Sequence, residues 1–293
     1  MEINQTPLQQ KLAEPFQLPT LTKNLPVLIQ ALSDHSLNYL QLAEVIKQYP
    51  EITARLIFLA NSPWSAPISP VSSIEQACSR LGTSIIKSIS IATSIAISFN
   101  TKKCPGFDTL HFWTTSLLVS KGAGILASRL TNKIADIEFV QTTQTAGILH
   151  NLGLLWLADK LPVETDRAFQ LIEDDPTLTL STALKQFIGS DYCEIGGWIG
   201  SQMEFPEVLI SAVHYHLTPD YQQSSWEIPL LIGASATMAS ALFNQTKAIP
   251  SNSRLEQLGL DSSTQTFIFQ QLSKDFESTR ELAKILFEGP DNT

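Results

Sequence analysis

The sequence predicts an all-α protein, and three observations carry that prediction. Apolar residues recur at spacings of three and four along almost the whole chain. The breaks between these runs are rich in Pro, Gly, Ser and Asn. Only one stretch, residues 83–99, alternates as a half-buried strand would. The expected architecture is an N-terminal helical bundle packed on a second helical bundle, followed by a C-terminal helical extension.

Taken in order, residues 25–32 form the first helix, with Pro26 in the first turn, where a missing N–H does no harm. Residues 38–48 repeat the pattern through Leu40, Leu42, Val45 and Ile46. Pro50 opens a third helix, whose Ile52, Leu56, Ile57 and Leu59 share one face up to Asn61. The stretch "NSPWSAPISPVSS", 61–73, holds three prolines and five serines and reads as a loop. Ser73 with Gln76 resembles a capping box, so the next helix starts there and stops near Gly82.

The segment "SIIKSISIATSIAISFN" fits two patterns. Ser88, Ile89, Ser90 and Ile91 alternate as in a strand, whereas Ile85, Ile89, Ala92 and Ala96 lie on one helical stripe. Residues 107–130 and 138–158 each read as one long helix, and shorter helices are expected at 163–174, 179–188, 191–203, 205–216 and 229–243. A polar linker, 244–254, leads to a final amphipathic helix at 264–287. No internal repeat is visible.

Composition narrows the function. The net charge of −9 opposes broad affinity for nucleic acid or anionic lipid, and Lys102–Lys103 is the only adjacent basic pair. Charged residues make up 16% of the chain, against roughly 25% in an average soluble protein, which suits a surface that a partner covers. Cys78, Cys104 and Cys193 are odd in number and far apart, so neither disulfides nor a zinc knot are suggested and a reducing compartment fits. The N-terminus shows no charged start followed by an apolar segment, and no run of 18 or more apolar residues occurs. A soluble, cytoplasmic protein is expected, with no membrane or nucleic-acid partner.

Five histidines exist: His35, His111, His150, His214 and His216. A metal that activates water needs several imidazoles together with carboxylates that neutralise its charge. In "GILHNLGLLWLADKL", 147–161, His150 stands beside Asn151, which offers a carbonyl oxygen but no charge. Buried in an apolar helix, the two also read as a hydrogen-bonded core pair. His216 reads as a partly exposed helix-end residue, His214 as an exposed face, His111 as packing or capping, and His35 as solvated beside Asp34. Trp113, Trp156 and Trp198 belong to amphipathic helices and are expected in the core, whereas Trp64, on the proline-rich loop, is either tucked inward or presented to a partner. Glu44 and Glu51 show no sign of converging and are taken as solvated. Cys193 has no neighbouring cation in sequence to activate it, no G-x-S-x-G elbow occurs, and "GSDYCEIGG" lacks the lysine of a phosphate loop. "IGGWIG", 195–200, reads as close helix packing through small residues.

"PEITARLIFLANSPWSAPISPVSSIEQACSRLGTSIIKSI", 50–89, resembles the HDOD domain family: an "RLxxLANS" helix end, a serine-rich loop and a "SIxQAxxxLG" helix. "FWTTSLLVS", "AGILHNLGLLWLA", "IGSDYCEIGGWIGSQMEFPEVLISAVHYH" and the late helix at 230–242 follow in the family's order, so the resemblance covers roughly 18–245. It implies that 83–99 is a helix. It also implies a domain plan: a tail at 1–17, an N-terminal helical subdomain at 18–100, a degenerate HD-like subdomain at 101–246, and a linker with the C-terminal helix at 247–293.

HDOD domains are regulatory modules of bacterial signalling, related to HD-type metal phosphohydrolases. Carried over by position, the first metal histidine of that pattern is Thr115 here, the His-Asp pair is His150 with Asn151, and Tyr192 stands before the "EIG" helix. The later His pair is His216 with Leu217, and the final aspartate falls near Thr237. The resemblance therefore implies no metal, no cofactor and no catalytic residue. It implies a protein that works through a separate signalling partner such as a receiver, kinase or cyclic-dinucleotide-turnover protein, or through a homodimer. The alternatives are a small-molecule, nucleotide-like sensor using Thr115, His150, Asn151, Tyr192, His216 and Thr237 as ligand-pocket candidates, and a residual metal-dependent phosphohydrolase. The C-terminal helix is expected to pack back, dimerise or form the docking surface.

Overall fold

The computed structural model describes residues 8, 25–32, 37–67, 69–130, 136–246 and 252–288. Among them every regular element is helical, as the fold class predicts. The 1–17 tail lies outside them except for buried Leu8, as do Asp34 and His35. Among the described residues the N-terminal group holds α1 (Leu25–Leu32), α2 (Tyr39–Lys47), α3 (Pro50–Asn61), α4 (Ile74–Leu81) and α5 (Thr83–Ser98). α4 and α5 meet at a 116° bend, made possible by Gly82 at φ +80°, a backbone region that side chains disfavour.

α5 decides between the two patterns of its sequence in favour of helix. Its serines do not face a sheet: Ser90, Ser94 and Ser98 each donate to the carbonyl four residues back, at 2.7, 2.9 and 2.8 Å. Hydroxyls bonded in this way can be buried within a helix, and the isoleucines Ile86, Ile89 and Ile95 form its core side.

The second group is built on α6 (Thr109–Ser128), with α7 (Ile137–Leu149), α8 (Leu152–Lys160), α9 (Pro162–Asp174), α10 (Leu180–Ile188), α11 (Tyr192–Gln202), α12 (Glu207–Tyr215) and α13 (Glu227–Phe243). α6 is buried on nearly all sides, because α7, α13 and the C-terminal helix all pack on it. "IGGWIG" behaves as read: at Gly196 and Gly197 a Cβ would sit 2.5 Å from Val213 and His214, so α11 lies flush on α12.

The single helix expected over 138–158 is instead two. α7 stops at Leu149, and α8 restarts at Leu152 after Asn151 at φ −101°, ψ 16°. His150 binds the Gly147 carbonyl with its own ring at 2.7 Å. At the break, Leu154 N bonds Asn151 O at 2.9 Å, an i→i+3 step. Of the expected linker at 244–254, residues 247–251 lie outside the described ones, and its last two, Ser253 and Arg254, open a short helix, α14 (Ser253–Gln257), capped by Asn252.

The C-terminal helix, α15 (Ser262–Phe287), packs back on the molecule. Ile268, Leu272, Leu282 and Leu286 are buried, Lys121 pairs with Asp275 at 2.8 Å, and Trp113 stacks on Phe287 at 4.2 Å. α15 also reaches the N-terminal group, where Arg55 donates to the Leu286 carbonyl and Trp64 Nε1 donates to the Ser278 carbonyl at 3.0 Å. The loop tryptophan is thus tucked onto the C-terminal helix. α15 ties both helical groups together, with Ile268, Leu272, Leu282 and Leu286 covered and Phe267 left exposed.

Truncating Leu272, which is fully buried against α6, is expected to cost about 2–5 kcal/mol in Leu272→Ala. Trp64→Phe, which removes only the indole donor, is expected to cost about 1 kcal/mol. Urea denaturation of both variants checks this; an unchanged midpoint for Leu272→Ala would show that α15 is not docked.

Candidate functional site

A cavity of about 490 Å³ opens between the start of α6, the α7–α8 break, α9, α11 and α13. Five of the six candidate residues line it: Thr115, His150, Asn151, Tyr192 and His216. Thr237 does not. It lies on the exposed side of α13, with its hydroxyl bonded to the Gly233 carbonyl at 3.0 Å, and Ala236 and Ser240 line the cavity in its place. The residue beside Thr237 that faces inward, Ala236, has no donor atom, and Ser240 one turn on offers only a hydroxyl.

Two close approaches shape the buried end. At Gly153 a Cβ would stand 2.0 Å from the Tyr192 carbonyl, and at Gly233 it would stand 2.2 Å from the His216 carbonyl. Only glycine lets α8 reach α11, and α13 cover the end of α12, at these distances. The second contact explains a correction: His216, expected at a partly exposed helix end, is 6% exposed because α13 closes over it. His214 departs from expectation too, half-buried against Gly197 and stacked on Tyr215 at 4.3 Å. His111 packs as expected, stacked on Phe243 at 3.9 Å. Trp113 and Trp156 are buried; Trp198 is partly buried, edge-on to Trp156 at 5.6 Å.

His150, 1% exposed, faces His216 edge-on with ring centroids 5.2 Å apart. Each imidazole is held the same way: Nδ1 lies 2.7 Å from the Gly147 carbonyl in His150 and 2.8 Å from the Val213 carbonyl in His216. A carbonyl only accepts, so Nδ1 carries the proton and Nε2 keeps the lone pair. Burial, with a smaller contribution from His216, pushes His150 down from 6.5 to about 3. Burial pushes His216 down to about 4.

Two further residues border the site: Asp191, which the sequence reading does not single out, and Cys193, which it weighs only by its neighbours in sequence. Asp191 caps α11, accepting from the Cys193 and Glu194 amides, and also binds Ser181 at 2.6 Å and Lys185 at 3.1 Å. Burial works to raise its pKa, yet these bonds hold it below the ordinary value. The D-x-x-E spacing at 191–194 carried the cap signal. Cys193 Sγ lies 3.7 Å from His216 Nε2. A nucleophilic Cys–His couple needs a thiolate beside an imidazolium. Here burial pushes the thiol up and the imidazole down, which leaves both neutral.

A hydrolytic divalent centre does not fit these residues. Asn151 brings no charge, Asp191 is committed to its cap and to Lys185, and Asp108 caps α6 through the His111 amide at 2.8 Å. Among the described residues no group of three or more His, Cys, Asp or Glu is placed to hold a metal. Nor is any single helix among them long and apolar enough to cross a membrane.

Fold and site define an all-helical protein with two imidazoles at the buried end of its cavity. The HDOD domain family matches residues 18–219, and the chain belongs to that family. Among solved structures, a protein of Marinobacter aquaeolei VT8 provisionally described as a signal transduction protein aligns with TM-score 0.80 and 21% identity. That alignment covers 98% of this chain and 62% of the Marinobacter one, so this chain spans under two thirds of its length. An HDOD domain protein of unknown function from Geobacter sulfurreducens aligns with TM-score 0.74 and 19% identity, over 96% and 97% of the two chains. A Shewanella amazonensis SB2B protein provisionally described as a phosphohydrolase aligns with TM-score 0.69 and 22% identity, over 96% and 98%. Among curated proteins, none matches the chain.

The histidines set the acid response. The unfolded imidazoles take up protons below about pH 6.5 while the folded ones do not, so stability is expected to fall as pH drops from 6.5 toward 4. The slope approaches about 1.4 kcal/mol per pH unit for each histidine. Urea titrations at successive pH values read this slope, and His150→Gln should make it shallower. A stability that rises on acidification would contradict the buried, neutral pair.

Proposed function

We propose that this protein is a non-catalytic regulatory module of bacterial signal transduction that acts by contact with another protein, its HD-type centre being disabled. The observation that carries this reading is the donor set of the cavity: two neutral imidazoles with Asn151, and not the aspartate of an HD pair, beside them. Family membership and the signal transduction description of the Marinobacter relative support a signalling role.

Contact through protein surface is supported by exposed apolar side chains on neighbouring N-terminal helices. Val27 on α1, Leu40 on α2 and Phe58 on α3 are 60%, 49% and 49% exposed. α15 buries its apolar stripe against α6 and leaves one large apolar side chain, Phe267, 47% exposed beneath the Arg129 guanidinium. The partner in this reading is a separate signalling chain, such as a receiver, kinase or cyclic-dinucleotide-turnover protein, and the compartment is the cytoplasm.

The test is elemental analysis of the purified, untagged chain, followed by hydrolysis assays on phosphodiester and nucleotide substrates after loading with manganese or iron. Metal far below one ion per chain and no turnover above buffer are expected. A near-stoichiometric metal, or metal-dependent turnover lost in His150→Ala, would overturn the reading.

A further inference from the structure

The cavity is larger and more selective than a collapsed remnant needs to be. At about 490 Å³ it lies within the roughly 300–1,000 Å³ range of small-molecule sites. Its buried end presents polar atoms without protein partners. Thr115 Oγ1 is buried and makes no hydrogen bond, although a helical threonine can ordinarily bond the carbonyl four residues back. His150 spends Nδ1 on the Gly147 carbonyl, which leaves the Nε2 lone pair of a 1% exposed ring as an acceptor. His216 is oriented the same way, and the hydrogen-bond partner of its Nε2 among the described residues is the weakly donating Cys193 thiol at 3.7 Å.

The walls are aromatic. Phe107 and Phe112 lie 5.3 Å apart, Phe169 meets Phe107 edge-on at 6.4 Å, and the Tyr192 ring lies 6.0 Å from His216. Among the described lining residues there is no lysine or arginine, while Asp108 and Glu173 stand at the exposed rim. Such a site has acceptors and flat apolar walls, but nothing to neutralise a phosphate and two carboxylates to repel one.

We propose that this cavity binds an uncharged heteroaromatic compound, of nucleobase to nucleoside size, that donates N–H groups to the two imidazoles and stacks between the aromatic walls. The phosphorylated form of the same compound is excluded. This rests on the reading that the centre does not turn over what it holds, and it replaces a nucleotide by its uncharged base or nucleoside as the fitting ligand. The protein then reports a small neutral metabolite to its partner.

The experiment is calorimetric titration of the full chain with adenine, adenosine and guanosine, each set against 5′-AMP, with the probe recovered afterwards by chromatography. Saturable one-to-one binding of at least one uncharged probe is expected, with 5′-AMP weaker by about tenfold or more. Thr115→Val is close in shape and removes a hydroxyl that has no partner to lose, so it should leave the melting temperature unchanged or higher. It should nevertheless weaken the bound probe several-fold. Failure of every uncharged probe to saturate at millimolar concentration, 5′-AMP binding as tightly, or unchanged affinity in Thr115→Val would each overturn the proposal. If the probe binds but returns chemically altered, the binding site stands and the non-catalytic reading falls.

Discussion

The structure turns on the burial of two imidazoles without a carboxylate bonded to either. A buried histidine beside an anion is driven toward its charged form, whereas one buried among apolar groups stays neutral. His150 and His216 follow the second course, and the backbone makes the arrangement specific by accepting Nδ1–H three residues back in each case. Two neutral acceptors with no carboxylate bonded to them suit a hydrogen-bond donor, whereas a hydrolytic divalent centre of the HD type sets carboxylates beside its imidazoles. Asn151 is the decisive neighbour: it keeps the size of an aspartate and removes its charge.

This arrangement depends on helix positions that only small residues permit. The break between α7 and α8 falls at His150–Asn151 itself, so the pair sits at a corner and not along a continuous helix face. Gly153 lets the restarted helix touch the Tyr192 backbone, and Gly233 brings α13 over His216. The family match ends at residue 219, yet Ala236 and Ser240 of α13 complete the cavity and α15 covers the far side of α6. Enclosure of the site is therefore a property of the longer chain, with Trp64 and Arg55 anchoring its last helix to the N-terminal group.

Much of this was legible in the sequence, for identifiable reasons. Helices with one apolar stripe announced themselves by spacing, and Pro50, Ser73 and Gly82 marked their ends. Residues 83–99 were ambiguous from periodicity because hydroxyls bonded within a helix can occupy buried positions, so serines counted as polar there. The break at Asn151 carried no proline or internal polar run and was invisible to periodicity. His216 was misjudged because its burial comes from α13, a contact separated in sequence and set by Gly233. Thr237 falls outside the cavity that its neighbour Ala236 lines, since on a helix one position turns a side chain through about 100°. The meeting of His150 with His216, and of Cys193 with His216, is tertiary and had no local signal.

The measurement that tests the account most directly is nitrogen-15 NMR of the histidine side chains in the full chain near pH 7. The account predicts two imidazoles with protonated Nδ1 and unprotonated Nε2, assigned through His150→Gln and His216→Gln, and no signature of metal coordination. Imidazolium resonances for either ring, a proton on Nε2, or a metal-shifted Nε2 would contradict the neutral, metal-free centre on which the reading stands.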